Sequence, residues 1–96
     1  MTTLMTDPML DQAWALSGSV ALRPEPFGAL AYHFGNRKLT FLKKRELVDV
    51  VNALGECETV ADALTQAGIP AGHWSAYEKA LRGLAASDMI LERNPT

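Results

Sequence analysis

Apolar positions alternate with small or polar ones through the first half of the chain and then switch to helical spacing. Trp14, Leu16, Val20 and Leu22 fall on one parity, interrupted at Gly18. They predict a strand ending at Arg23, because Pro24 and Pro26 bring no N–H to a ladder. The alternation resumes from Gly28 to Phe34, with Leu30, Tyr32 and Phe34 on one side and Ala29, Ala31 and His33 on the other. Gly35-Asn36 supplies residues that tolerate the positive φ of a tight hairpin turn. Leu39 to Leu42 is the returning strand. The expectation for this part is a three-stranded antiparallel meander.

Beyond it the period becomes 3.6. Leu47, Val50, Val51 and Leu54 stand at i, i+3, i+4 and i+7, the stripe of an amphipathic helix that Gly55 ends. Thr59-Val60-Ala61-Asp62 resembles a capping box and opens a short second helix, which buries Val60, Ala63, Leu64 and Ala67 and stops at Gly68. Pro70 suits the start of the next segment, where its missing N–H would be unpaired anyway. The third helix is expected over Gly72 to Ser87, with Trp74, Tyr77, Leu81, Leu84 and Ala85 as its apolar stripe. Beside that stripe Ala76, Ala80 and Gly83 recur at i, i+4 and i+7, a flank against which another backbone could lie closely. Lys79 would stand at the rim of that flank and Arg82 on the polar side. Met89 to Leu91 is expected to add a strand or cover the core.

Strands followed by helices define an α+β domain with helices on one face of a small sheet. The helix pair, third helix and extended tail also give it a winged-helix-like outline. At 96 residues the chain fits one domain. Residues 1–12 read as a flexible arm, 13–92 as the domain and 93–96 as a tail. The first basic residue is Arg23, so the positive region of a secretory signal is not seen. No apolar run reaches the roughly 20 residues of a membrane span. Cys57 is alone, which fits a reducing compartment; the expectation is a cytoplasmic protein that does not act at a membrane.

Charge adds one feature. Arg37, Lys38, Lys43, Lys44 and Arg45 place five of the nine Lys and Arg in one short window of a chain whose net charge is −2. Such polarity fits a face for an anionic partner, and equally a solvated corner between strand and helix. Catalytic chemistry finds no players. His33 and His73 are far apart and neither pairs with Cys57 at metal-ligand spacing, so neither a metal nor a cofactor is expected. Cys57 has no basic neighbour in sequence to activate it, Glu56 and Glu58 read as a solvated loop, and no phosphate-cradling glycine loop is present. The chain is therefore not expected to be an enzyme.

Two binding readings remain. A winged-helix DNA-binding regulator would need a basic recognition helix, but the third helix offers only His73, Lys79 and Arg82, and the second offers no basic residue. Nucleic acid is thus the alternative partner. In the other reading the strand Leu39–Leu42 lies at the sheet edge and takes up an extended peptide between itself and the Ala76, Ala80, Gly83 flank. On periodicity alone, that flank could as well pack directly on the sheet. The same open edge could pair with a second copy of the chain, giving a homodimer.

One stretch carries a more specific signal. Leu22-Arg23-Pro24-Glu25-Pro26-Phe27-Gly28-Ala29-Leu30-Ala31-Tyr32-His33-Phe34, continuing through Gly35-Asn36-Arg37-Lys38-Leu39-Thr40-Phe41-Leu42, closely resembles the MftB family, the peptide chaperones of the mycofactocin system. More distantly, the order of elements from Val20 to Leu91 is similar to PqqD-like precursor-recognition domains. The resemblance implies a protein that binds the leader of a ribosomally made precursor peptide. It further implies delivery of that peptide to a radical S-adenosylmethionine maturase, with the iron–sulfur cluster and S-adenosylmethionine belonging to the maturase. In PqqD-like domains the leader adds to the third strand, in the groove before the third helix; here those are Lys38 to Leu42 and Gly72 to Ser87. The candidate peptide-contacting residues are then Arg37, Lys38, Leu39, Thr40, Phe41, Leu42 and Lys43 on the strand side. Ala76, Tyr77, Lys79, Ala80 and Gly83 face them from the helix.

Overall fold

The computed structural model describes residues 9–93. Five strands and three helices follow in the order β1 (Trp14–Leu16), β2 (Val20–Glu25), β3 (Gly28–His33), β4 (Leu39–Leu42), α1 (Arg45–Ala53), α2 (Val60–Gln66), α3 (Trp74–Ala86) and β5 (Ile90–Glu92). β2, β3 and β4 form the expected antiparallel meander, with β3 in the centre. β1 and β5 make a separate two-stranded antiparallel ladder.

The first expected strand therefore divides in two. The Ser17 carbonyl accepts from Val20 N, and its hydroxyl accepts from Ser19 N at 3.1 Å, so the chain turns where a strand would continue. Ser and Gly make that turn locally favourable, because the Ser side chain competes for backbone donors. β2 also runs through Pro24 to Glu25, beyond the expected stop at Arg23. The ladder phase explains why. Phe34 N donates to Ser19 O, and paired residues in an antiparallel ladder alternate between bonded and non-bonded. Ala21, Arg23 and Glu25 thus bond β3, while the Pro24 nitrogen faces the sheet's free edge, where no donor is required.

The hairpin between β3 and β4 also differs from expectation. Positive φ falls on Arg37 (65°), not on Gly35 or Asn36. Arg37 N donates to His33 O and His33 N to Lys38 O, closing a four-residue loop. His33 Nδ1 accepts from both Gly35 N and Asn36 N, so this half-buried imidazole holds the turn. Gly28 is the glycine the sheet needs: its φ is +150°, and a Cβ there would collide with the Leu42 carbonyl oxygen.

The helices lie close to their expected places. Thr59 Oγ1 accepts from Asp62 N and caps α2, an interaction that typically contributes about 1 kcal/mol. Single turns of 3-10 helix at Leu54–Glu56 and Ala71–His73 extend α1 and precede α3. α1 packs on the inner face of the meander, burying Ala29, Ala31, Leu42, Val50 and Val51, and Leu81 of α3 joins the same core. Met89 and Ile90 are fully buried, so the C-terminal strand also closes the core.

The expected arm over residues 1–12 lies outside the described residues as far as residue 8. Its remainder belongs to the packed domain: Met9–Asp11 is a 3-10 turn, Met9 is 2% exposed, and Gln12 O accepts from Val60 N. Met9 fills the core beside α2, so the packed part begins ahead of residue 13. Residues 94–96 of the expected tail are likewise outside the described residues, while Arg93 is tied by its backbone N to Ala13 O and by its guanidinium to Cys57 O. Cys57 lies in the bend between the helices, flanked by exposed Glu56 and Glu58, but its side chain is buried, with the thiol directed at Gln66 Oε1 at 3.4 Å.

Candidate functional site

β4 is an edge strand. His33 N donates to Lys38 O, so Lys38, Thr40 and Leu42 direct their backbone groups at β3. The N–H and C=O groups of Leu39 and Phe41 therefore point outward, away from the sheet. These are the ladder positions available to an added strand.

α3 stands across from this edge. Asn36 Nδ2 donates to Ser87 O at 3.0 Å, while Asn36 Oδ1 accepts from Lys38 N at 2.9 Å. One side chain thus ties the β3–β4 turn to the C-terminal end of α3. Towards the other end of α3 the two elements leave a cleft of about 240 Å³, lined by Phe41, Lys43, Lys44, Leu47, Ala76, Tyr77 and Ala80. A hollow of about 420 Å³ that shares two of these residues is lined by Phe27, Phe41 and Lys43.

Chemically the cleft is apolar with a cationic mouth. Lys44 Nζ lies 5.6 Å from the centre of the Tyr77 ring, within range of a cation–π attraction. Burial, and secondly the Glu46 carboxylate, push the Tyr77 phenol above its ordinary value. The tyrosine is therefore a neutral apolar wall at physiological pH. The small flank of α3 is open: Ala76 and Gly83 are exposed, and a Cβ on Gly83 would meet nothing within 4 Å.

Phe41, Lys43, Ala76, Tyr77 and Ala80 of the expected set meet in this cleft. Leu39 lies on the outer face of the sheet, 57% exposed, and reaches the edge through its backbone. Thr40 and Leu42 turn their backbone groups to β3, and the Leu42 side chain is buried in the core, so neither presents a free donor. Arg37 and Lys38 are exposed in the turn, and Lys79 and Gly83 are exposed along α3, outside the cleft lining. Leu47 and Asn36 escaped the sequence reading. Leu47 was legible only as a member of the α1 stripe, and no local signal marks the contact of Asn36 with a residue 51 positions away.

A second depression, about 370 Å³ between α1 and α2, is lined by Asp49, Asn52, Ala53, Glu56, Gln66 and Ala67. It holds no nucleophile. No group of three or more potential metal-ligating side chains occurs among the described residues, and none of the described helices is long and apolar enough to cross a membrane.

A central three-stranded meander, three helices and a cleft beside a free edge strand define a PqqD-like α+β domain. A sequence profile of the Peptide chaperone MftB family matches residues 13–91, and the chain belongs to that family. It is 48% identical over 85 residues to the peptide chaperone MftB of Mycolicibacterium smegmatis, covering 88% of this chain and 83% of the relative. With the peptide chaperone MftB of Mycobacterium tuberculosis it shares 45% identity over 86 residues, covering 90% and 79%. The Mycobacterium ulcerans protein of the same name is 47% identical over 81 residues, covering 84% and 74%. No solved structure matches the chain. These relatives assign a chaperone role and not an enzymatic one.

Proposed function

We propose that the protein is a cytoplasmic chaperone of mycofactocin biosynthesis that binds the leader of a ribosomally made precursor peptide by strand addition to β4 and presents it to a radical S-adenosylmethionine maturase. The observation carrying this reading is the coincidence of outward-facing backbone groups at Leu39 and Phe41 with the apolar cleft against α3. An extended peptide pairs its backbone with the strand and sends alternate side chains towards Tyr77, Ala76 and Ala80. Lys38 and Lys43 stand at the two ends of the strand and favour acidic peptide residues flanking an apolar centre. Ladder bonds contribute about 0.5–1.5 kcal/mol each, and an aliphatic anchor about 1.5–3 kcal/mol. Ordering the peptide costs about 2–5 kcal/mol. The balance suits a carrier that must also release.

The same edge is poorly suited to a homodimer. The antiparallel register that pairs Leu39 of one copy with Phe41 of the other sets Arg37 opposite Lys43, and edge lysines discourage such pairing. The DNA-binding alternative has less support, since the basic side chains of α3 are Lys79 and Arg82, and Arg82 pairs with Glu78 at 2.9 Å.

The test is titration with the leader of the precursor peptide encoded beside the gene. Leu39→Pro removes an outward donor while sparing the bonds to β3, and should weaken binding about tenfold or more. Thr40→Pro is the poorer choice, because its N–H serves the sheet itself. Unchanged affinity in a folded Leu39→Pro variant would exclude strand addition at β4.

A further inference from the structure

The outer face of the β2–β3–β4 sheet is apolar in a way the peptide cleft does not account for. Register places Arg23, Leu30 and Phe41 in one row across the three strands, and Ala21, Tyr32 and Leu39 in the next. Phe34 packs edge-on against Tyr32 with ring centres 5.4 Å apart, and Phe27 against Phe41 at 5.8 Å. Phe27, Phe34, Leu39 and Phe41 are four of the five large apolar side chains left exposed in the molecule's described part, at 42–60% exposure. Soluble proteins seldom leave such a contiguous patch bare unless it is a contact surface.

The segment carrying the patch is basic: between Val20 and Lys44 stand Arg23, Arg37, Lys38, Lys43 and Lys44 against a single acid, Glu25, although the whole chain is net negative. Glu25 pairs with Arg23 at 3.2 Å and Lys44 turns to Tyr77 at the cleft, so Arg37, Lys38 and Lys43 carry the excess. A peptide added to β4 would leave most of this face uncovered. Strands in a sheet are about 4.8 Å apart, so a single added strand lies beside Leu39 and Phe41, while Leu30, Tyr32 and Arg23 are one and two strands further in. Two copies stacked through this face would bring their basic residues together.

We propose that the outer sheet face docks a folded partner protein whose own contact surface is an apolar patch with an acidic rim. On the reading given above, that partner is the maturase. The face and the peptide edge meet at Phe41, which lines the cleft and belongs to the outer row. The partner is thereby held next to the captured peptide without displacing it.

The probes are the purified maturase, the leader peptide and vesicles containing anionic phospholipid, each titrated against the full chain. Two variants separate the surfaces. Arg23→Glu combined with Phe34→Ser alters the outer face two strands away from, or beyond the end of, the peptide edge. Ala80→Trp fills the cleft. The outer-face variant should bind the maturase at least tenfold more weakly and the leader peptide within twofold of the parent. Ala80→Trp should lose the peptide and keep the maturase. Equal maturase affinity in the folded outer-face variant would overturn the docking surface, while failure of the parent chain to bind the leader would overturn the peptide reading. Vesicle binding that disappears with Arg23→Glu/Phe34→Ser would assign the face to a membrane, and a dimer abolished by the same changes would assign it to a second copy. Either of those would also overturn the proposal.

Discussion

The two faces of the central sheet use hydrophobic residues in opposite ways. The inner face is built from small or singly placed groups: Ala29 and Ala31 are each 1% exposed, with Leu42 beside them under α1. The outer face carries the bulk, with Leu30, Tyr32, Leu39 and Phe41 on the strands and Phe27 and Phe34 at the turns. Stability alone would favour the reverse, since burying a large side chain gains more than leaving it half in water. The alanines instead let α1 approach the sheet closely. The larger residues stay where another molecule can reach them. One face holds the fold together, and the other, with the edge it adjoins, is equipped for contact.

That division can be broken from either side. Leu42→Ala leaves a cavity in the core and should destabilise the protein by about 2–5 kcal/mol in denaturant unfolding. Ala31→Leu overpacks the helix–sheet contact and should cost about 1–3 kcal/mol by the same measurement. Leu39→Ala on the outer face should shift stability by less than about 0.5 kcal/mol. A large loss there would mean that the outer face also supports the fold. Lys38→Glu with Lys43→Glu should weaken capture of an acidic leader without unfolding the chain, and the loss should shrink as salt rises from low to physiological, because exposed charges are screened. A salt-independent difference in calorimetric titrations would remove the basic residues from recognition.

The smallest effect concerns Tyr77. Its phenol is raised above the ordinary value of 10.0, so above that pH the unfolded chain loses a proton that the folded chain still holds. The stability associated with neutral Tyr77 is complete below about pH 10 and is lost as pH rises through the folded value. Tyr77→Phe should therefore lose less stability than the parent between neutral and strongly alkaline pH. The comparison is made by denaturant unfolding of both proteins at each pH.

Much of this arrangement is written in local pattern. The amphipathic stripe of α1, the Thr59 cap and the Gly68 stop of α2, and the stripe of α3 follow from spacing and end chemistry, and each is found within a few residues of its expected place. Alternation also located β3 and β4. It could not say which parity faces inward, because both parities of β3 are apolar, and the choice is made by α1 packing on the alanines. Nor could it separate β1 from β2: the break at Ser17-Gly18-Ser19 depends on β5, some 70 residues on, being free to pair with β1. Of the candidate site, the strand and the small-residue flank of α3 were legible. The free edge positions were not, since they depend on the phase of the ladder, and that phase is set by the four-residue turn with Arg37 in the left-handed region.

The phase of β4 gives the most direct test of strand addition. Amide hydrogen exchange, read residue by residue by NMR, should show the amides of Thr40 and Leu42 protected in the free protein and those of Leu39 and Phe41 exchanging fast. Saturation with the leader peptide should slow Leu39 and Phe41 at least tenfold and leave Thr40 and Leu42 nearly unchanged. A bound peptide that leaves Leu39 and Phe41 exchanging as before, while protecting amides elsewhere, would contradict binding at this edge.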